Sequence, residues 1–203
     1  MIKILDLGAA NIKSVFKALD YLGFRTGIEA DPKGIHTADG LVLPGVGSFG
    51  FVMDQIRKRG FFRPLEEWLA ADRPLLGICL GLQLLTDGSE ESPAVSGFGV
   101  FRGVCRRFSA GRIPHMGWNL LQIFRDDGLF SGLPDEPYVY FAHSYHPETS
   151  GEAEETVLAH TRYGRTFPCV FKKGKICGFQ FHPEKSGRIG LHLLKNWVEQ
   201  CLP

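Results

Sequence analysis

Gly77-Ile78-Cys79-Leu80-Gly81 sets one cysteine between two glycines, each two residues away. The apolar stretch Pro74 to Ile78 reads as a strand and runs straight into a helical stretch from Leu80. This is the nucleophile-elbow pattern with cysteine in place of serine. The tight bend needs small flanks, because Cβ atoms two residues on either side would collide. It presents the sulfur at the carboxyl edge of a sheet and at a helix N-terminus, whose dipole favours the thiolate. The amide of Leu80 then points where an oxyanion would form. With 25 glycines and five cysteines, chance supplies far fewer than one such pentad, so a buried structural cysteine is the weaker explanation.

A cysteine nucleophile needs a base, and the base needs an orienting group. Of seven histidines, His182 directly follows the strand-like Cys177-Gly178-Phe179-Gln180-Phe181 and precedes Pro183-Glu184. A strand end places the ring rigidly, the proline stiffens the turn, and a glutamate two residues on can curl back to hold it. His143 and His146 flank Ser144-Tyr145 after another strand and could line a pocket, whereas His36, His160 and His192 have no such company.

These groups need elements to hold them. Over the first ~90 residues short apolar strands alternate with amphipathic helices. Strands read at Ile2 to Leu7, Phe24 to Ala30, Leu41 to Leu43 and Pro74 to Ile78. Helices read from Ile12 to a stop at Gly23, from a Ser48 cap to Gly60, over Leu65 to Ala71, and over Leu80 to Thr86 ending at Gly88. The second half reads as strands at Gly99 to Phe108, Asn119 to Phe124, Tyr138 to Ser144, Thr156 to Tyr163, Cys169 to Lys172 and Ile176 to Phe181. A final helix covers Ser186 to Cys201, and Lys172-Lys173-Gly174-Lys175 reads as a hairpin turn. The expected fold is α/β: a doubly wound, mostly parallel central sheet with added antiparallel strands in the second half. One domain, 1–203, is expected, with no linker or repeat.

Composition narrows the class. Twenty-three Lys+Arg against 22 Asp+Glu give a net charge of +1, which argues against nucleic acid as partner. No apolar run approaches the roughly 20 residues of a membrane span, and an early charge speaks against a signal peptide. The five cysteines, Cys79, Cys105, Cys169, Cys177 and Cys201, show no Cys-x-x-Cys spacing, so neither a disulfide framework nor a zinc site is expected. A cytoplasmic protein with reduced thiols is expected, with Cys79 the working one.

The elbow cysteine followed by a strand-end His-Pro-Glu resembles the class I (triad) glutamine amidotransferases, over nearly the whole chain. Asp6 to Val15, Pro44-Gly45-Val46-Gly47-Ser48-Phe49-Gly50, His115-Met116-Gly117-Trp118-Asn119 and His182 to Ser186 are similar to the branch whose glutaminase serves a separate cyclase of histidine biosynthesis. That branch usually carries an aromatic residue at Leu7 and glycine at Ala10, both expected near the partner surface. The resemblance implies hydrolysis of L-glutamine by Cys79, His182 and Glu184, with ammonia passed to the cyclase and no cofactor or metal. It implies an oxyanion hole from Leu80 and from the Val46–Gly47 segment. The glycines there would let a peptide unit rotate, a switch for a subunit that idles until its partner binds substrate. It places Gln83, Glu91, Ser144 and Tyr145 around glutamine, although Glu91 alone reads as a solvated loop carboxylate. It places Asn11, Trp118, Tyr140 and Lys185 at the partner surface, with a core tryptophan the competing explanation for Trp118. A glutaminase for another synthase, of pyridoxal phosphate or anthranilate type, is the alternative. His115 to Asn119 and Lys185 speak against it.

Overall fold

The computed structural model describes residues 1–8, 11–149 and 151–201. Ala10 lies outside them. Five strands run parallel: β1 (Ile2–Leu5), β2 (Thr26–Glu29), β3 (Gly40–Gly45), β4 (Leu75–Cys79) and, far along the chain, β13 (Ile176–Phe179). The sheet order is β2-β1-β3-β4-β13-β12-β11-β8, so three antiparallel strands extend it: β12 (Arg165–Lys173), β11 (Val157–Tyr163) and β8 (Gln122–Ile123). This is the expected mostly parallel sheet with antiparallel additions.

Helices cover both faces, which is why β1, β3 and β4 are buried along their whole length. On one face α1 (Ile12–Tyr21) and α5 (Gly187–Cys201) bury Val15, Leu19, Leu193 and Trp197 against Ile4, Val42 and Ile78. On the other, α2 (Phe49–Lys58) and α3 (Phe62–Ala70) bury Val52, Ile56, Leu65 and Trp68 against Leu5, Leu41 and Leu43. Successive strand residues feed opposite layers, as a pleated strand requires. Leu7, expected near a partner surface, is instead fully buried in the second layer.

Two smaller sheets accompany the large one. One orders β10 (Tyr145–Glu148), β6 (Phe101–Arg107) and β5 (Thr86–Ser89); the other pairs β7 (His115–Leu120) with β9 (Tyr138–His143). Several boundaries differ from the sequence expectation. The helix after Cys79, α4, spans only Leu80–Leu84, and Thr86–Ser89 turns into strand. Asn119 to Phe124 splits between β7 and β8. Ser48 makes no side-chain cap bond; instead the Phe49 amide donates to Glu91 Oε2 (2.7 Å) and the Gly50 amide to Ser92 Oγ (3.0 Å). The Lys172–Lys175 turn is a hairpin between β12 and β13, with Gly174 at φ +56°. Among the described residues no helix is long and apolar enough to cross a membrane.

Candidate active site

Cys79 ends β4 and precedes α4 with φ +54° and ψ −107°, a left-handed conformation that side-chain-bearing residues rarely adopt. The flanking glycines make the bend possible. A Cβ on Gly81 would lie 1.8 Å from the Leu43 carbonyl oxygen, and one on Gly77 would lie 2.8 Å from the Gly81 backbone. β3, β4 and α4 are therefore packed backbone to backbone at the elbow, and Cys79, 7% exposed, lines a cavity there.

His182 is carried to the same place by β13, which pairs in parallel with β4. Its amide donates to the Tyr140 carbonyl (2.9 Å), while Ser186 Oγ donates to the His182 carbonyl (2.6 Å) and accepts from the Tyr140 amide (2.9 Å). The turn after β13 is thus stitched to β9. His182 Nδ1 lies 2.9 Å from Glu184 Oε1, and both side chains are almost wholly buried. Burial by itself would push the imidazole down, but hydrogen bonds to Cys79 and Glu184 outweigh it and carry it up to about 10. Gln180 Nε2 sits 3.8 Å from the Cys79 sulfur. Gln180 and Ser186 were not singled out from sequence. Period-two alternation puts 180 on the side of 182 and was a usable signal, whereas Ser186 binds a strand over 40 residues away.

The cavity measures about 220 Å³ and brings together Val46, Gly47, Leu80, Gln83, Glu91, Ser144 and Tyr145 with Cys79 and His182. His143 also lines it; His146 does not and borders a separate recess. Glu184 stands behind His182, outside this cavity. Glu91 is no solvated loop carboxylate, since it holds the N-terminus of α2. Gly47 has φ +104°, a glycine conformation, in the segment expected to supply the second oxyanion donor. At the rim Val46, Met116 and Trp118 are 43%, 63% and 56% exposed, so Trp118 is not a core tryptophan. Its ring meets Tyr140 edge-on at 6.1 Å, and Lys185 Nζ lies 6.0 Å from the Tyr140 ring centre. Asn11 is exposed and borders a small recess shared with Val46, His182 and Glu184.

The other described cysteines are buried. Burial pushes the Cys105 thiol up to about 12 and raises Cys169 well above the ordinary range. The side chain of Cys201 lies outside the described residues.

Burial pushes His143 down to about 3 and His115 down to about 4, so both rings are neutral at pH 7. An unfolded histidine titrates near 6.5. For these two rings the unfolded state binds more protons below that value, so their contribution is full above about pH 6.5 and is lost as pH falls toward 4 and 3. For His182 the sign reverses: its contribution is full below about pH 6.5 and is lost as pH rises toward about 10. Urea midpoints should therefore decline on both sides of neutrality, and His182→Asn should flatten the alkaline limb. An alkaline limb unchanged by that substitution would contradict the assigned pairing.

A family model described as glutamine amidotransferase class-I matches residues 3–201, and the chain belongs to that family. A crystal structure of a glutamine amidotransferase superposes with a TM-score of 0.78 over 98% of each chain at 21% identity, a likeness of fold. The chain is 46% identical to the imidazole glycerol phosphate synthase subunit HisH of Symbiobacterium thermophilum, over 97% of its own length and 92% of that protein's. It is 41% identical to the chloroplastic imidazole glycerol phosphate synthase hisHF of Arabidopsis thaliana, over all of this chain but 35% of that protein. Within the class the chain is thereby a member of the HisH family of imidazole glycerol phosphate synthase subunits.

Proposed function

We propose that residues 1–203 form one glutaminase domain that hydrolyses L-glutamine to glutamate and ammonia with Cys79, His182 and Glu184. The observation that carries this is the left-handed Cys79 at the strand–helix joint, sharing one cavity with a His182 held by Glu184. The Cys79 thiolate attacks the side-chain amide carbon of glutamine, and the carbonyl oxygen becomes an oxyanion. The Leu80 amide and a donor from Val46–Gly47 receive that charge; losing one such donor costs roughly 10²–10³ in rate. His182 gives its proton to the departing nitrogen, which leaves as ammonia, and a thioester remains. His182 then takes a proton from water, whose oxygen attacks the thioester, and glutamate leaves as the thiol is restored. Glu184 keeps the ring oriented and offsets its positive charge. Gln83, Glu91, Ser144 and Tyr145 hold the substrate, with Glu91 facing its α-ammonium group.

The apolar rim of Val46, Met116 and Trp118, with Asn11, Tyr140 and Lys185, is the docking surface for the cyclase subunit. The cyclase uses the ammonia on a ribulosyl-formimino aminoimidazole carboxamide nucleotide, giving imidazole glycerol phosphate and aminoimidazole carboxamide ribonucleotide in histidine biosynthesis. Rotation of a Val46–Gly47 peptide is the switch between idle and active states. The setting is the cytoplasm, where the thiols stay reduced. The test is glutamate release from glutamine, with the chain alone and with the cyclase plus its nucleotide. Release is expected to rise strongly in the complex, and no release under either condition would refute the assignment.

A further inference from the structure

A file of side chains runs from β7 into the wall of the glutamine cavity, and its members Asn119, His115 and His143 take no part in the steps above. It starts at Asn119 on β7. Asn119 Oδ1 accepts from the Leu120 amide (2.9 Å) and Nδ2 donates to the Arg162 carbonyl (2.9 Å), so the side-chain amide has one orientation. Nδ2 also lies 3.3 Å from His115 Nε2. His115 Nδ1 lies 3.1 Å from His143 Nε2, and His143 Nδ1 lies 2.7 Å from the Tyr145 carbonyl oxygen. Gln83 Nε2 donates to the same carbonyl (2.8 Å) and to Gln180 Oε1 (3.1 Å), and Gln180 reaches Cys79.

The ends of this file dictate where its protons sit. A carbonyl only accepts, so His143 carries its hydrogen on Nδ1. A neutral ring then has a bare Nε2, which must accept from His115 Nδ1–H. The Nε2 of His115 is then bare in turn and faces the Asn119 amide, a donor. Each link has one donor and one acceptor only when both rings are neutral Nδ1–H tautomers. An added proton on either ring would set N–H against N–H, and burial holds both rings neutral.

We propose that His115 and His143 are positioning residues: a one-way, tautomer-locked hydrogen-bond chain from Asn119 fixes the Tyr145 carbonyl and, through it, Gln83 on the wall of the glutamine cavity. The proposal rests on the glutaminase assignment. The chain starts on β7, the strand that presents Met116 and Trp118 at the rim, so the docking face and the substrate wall share one rigid connection.

Packing offers a competing role, since His115 stacks at 4.0 Å on Tyr163 and 4.7 Å on Phe141. Two substitutions separate the roles. His115→Phe keeps the ring stack and removes the donor; His115→Asn loses the stack but sets an amide donor in the place of Nδ1. In the complex with cyclase and nucleotide, His115→Phe is expected to raise KM for glutamine on the order of tenfold, the size of one buried hydrogen bond left unmade. His115→Asn is expected to restore KM to near the wild-type value despite a lower melting temperature. Nitrogen-15 spectra of the full chain should show both rings as Nδ1–H tautomers, without titration, from about pH 5 to 8. The reverse kinetic ranking, or an Nε2–H or charged His143 at neutral pH, would overturn the proposal. If His115→Phe does not fold, Asn119→Ala removes the donor that opposes a proton on His115 Nε2; the expected result is that His115 keeps its Nδ1–H but takes up an Nε2 proton at a higher pH than in the wild type, and an unshifted titration or a lost Nδ1–H would count against the chain. A wild-type complex that releases no glutamate would sink the glutaminase assignment instead, and the spectra would still decide the chain.

Discussion

Replacing Cys79 with alanine is expected to lower glutamate release by at least about 10⁴-fold while leaving the fold intact, because the nucleophile is lost and no neighbouring thiol can stand in for it. In the same variant His182 loses one of the two hydrogen bonds that raise it, so its titration should move down. Cys79→Gly should be equally inactive but more stable than the alanine variant. Both remove the thiol, so their difference isolates the backbone. A residue with a Cβ held at φ +54° stores roughly 1–3 kcal/mol, which glycine does not. The expected gap is about 1 kcal/mol in urea unfolding. Residual activity in Cys79→Ala would remove the assigned nucleophile, and a glycine variant no more stable than alanine would remove the strain. The elbow thus trades stability for a sulfur presented at the cavity.

The second large effect is on folding. Gly81→Ala adds a Cβ 1.8 Å from the Leu43 carbonyl oxygen and 2.9 Å from its carbon. Both atoms are backbone of β3, so no side chain can swing away; α4 has to lift from the sheet. The expected cost is about 3 kcal/mol or more, a large share of a typical domain's stability. Gly23→Ala is the control: at φ +81° its added Cβ would meet no atom within 4 Å beyond its chain neighbours, so its cost is conformational only, about 1 kcal/mol. Equal melting temperatures for the two variants would disprove the close packing of α4 on β3.

The parts legible in the sequence were those written in local pattern. Gly77-Ile78-Cys79-Leu80-Gly81 and His182-Pro183-Glu184 each span five residues or fewer, and apolar periodicity marked β1, α1, β3 and β4 without help from elsewhere. What stayed hidden is held by distant partners. Thr86-Asp87-Gly88-Ser89 has no strand-like alternation and becomes β5 by pairing with β6. Tyr145–Glu148 contains Pro147, which demotes a strand reading, yet it pairs with β6 as the edge strand β10. The link from Gln180 to Cys79 spans 101 residues, and that from Gln83 to Tyr145 spans 62. Glu91 looked like a solvated loop residue because the helix it caps lies 42 positions earlier.

The place of β13 in the sheet has a consequence for how the chain is made. It inserts between β4 and β12 although it comes last in sequence among the described strands of this sheet. Until residues 176–179 leave the ribosome, β4 has an open edge beside the elbow cysteine, and at roughly 5–20 residues per second that interval lasts several seconds. An unpaired apolar strand is a template for aggregation. A truncated or stalled chain would therefore be both inactive and adhesive, and closure of the sheet by its final strand ends both conditions in one event.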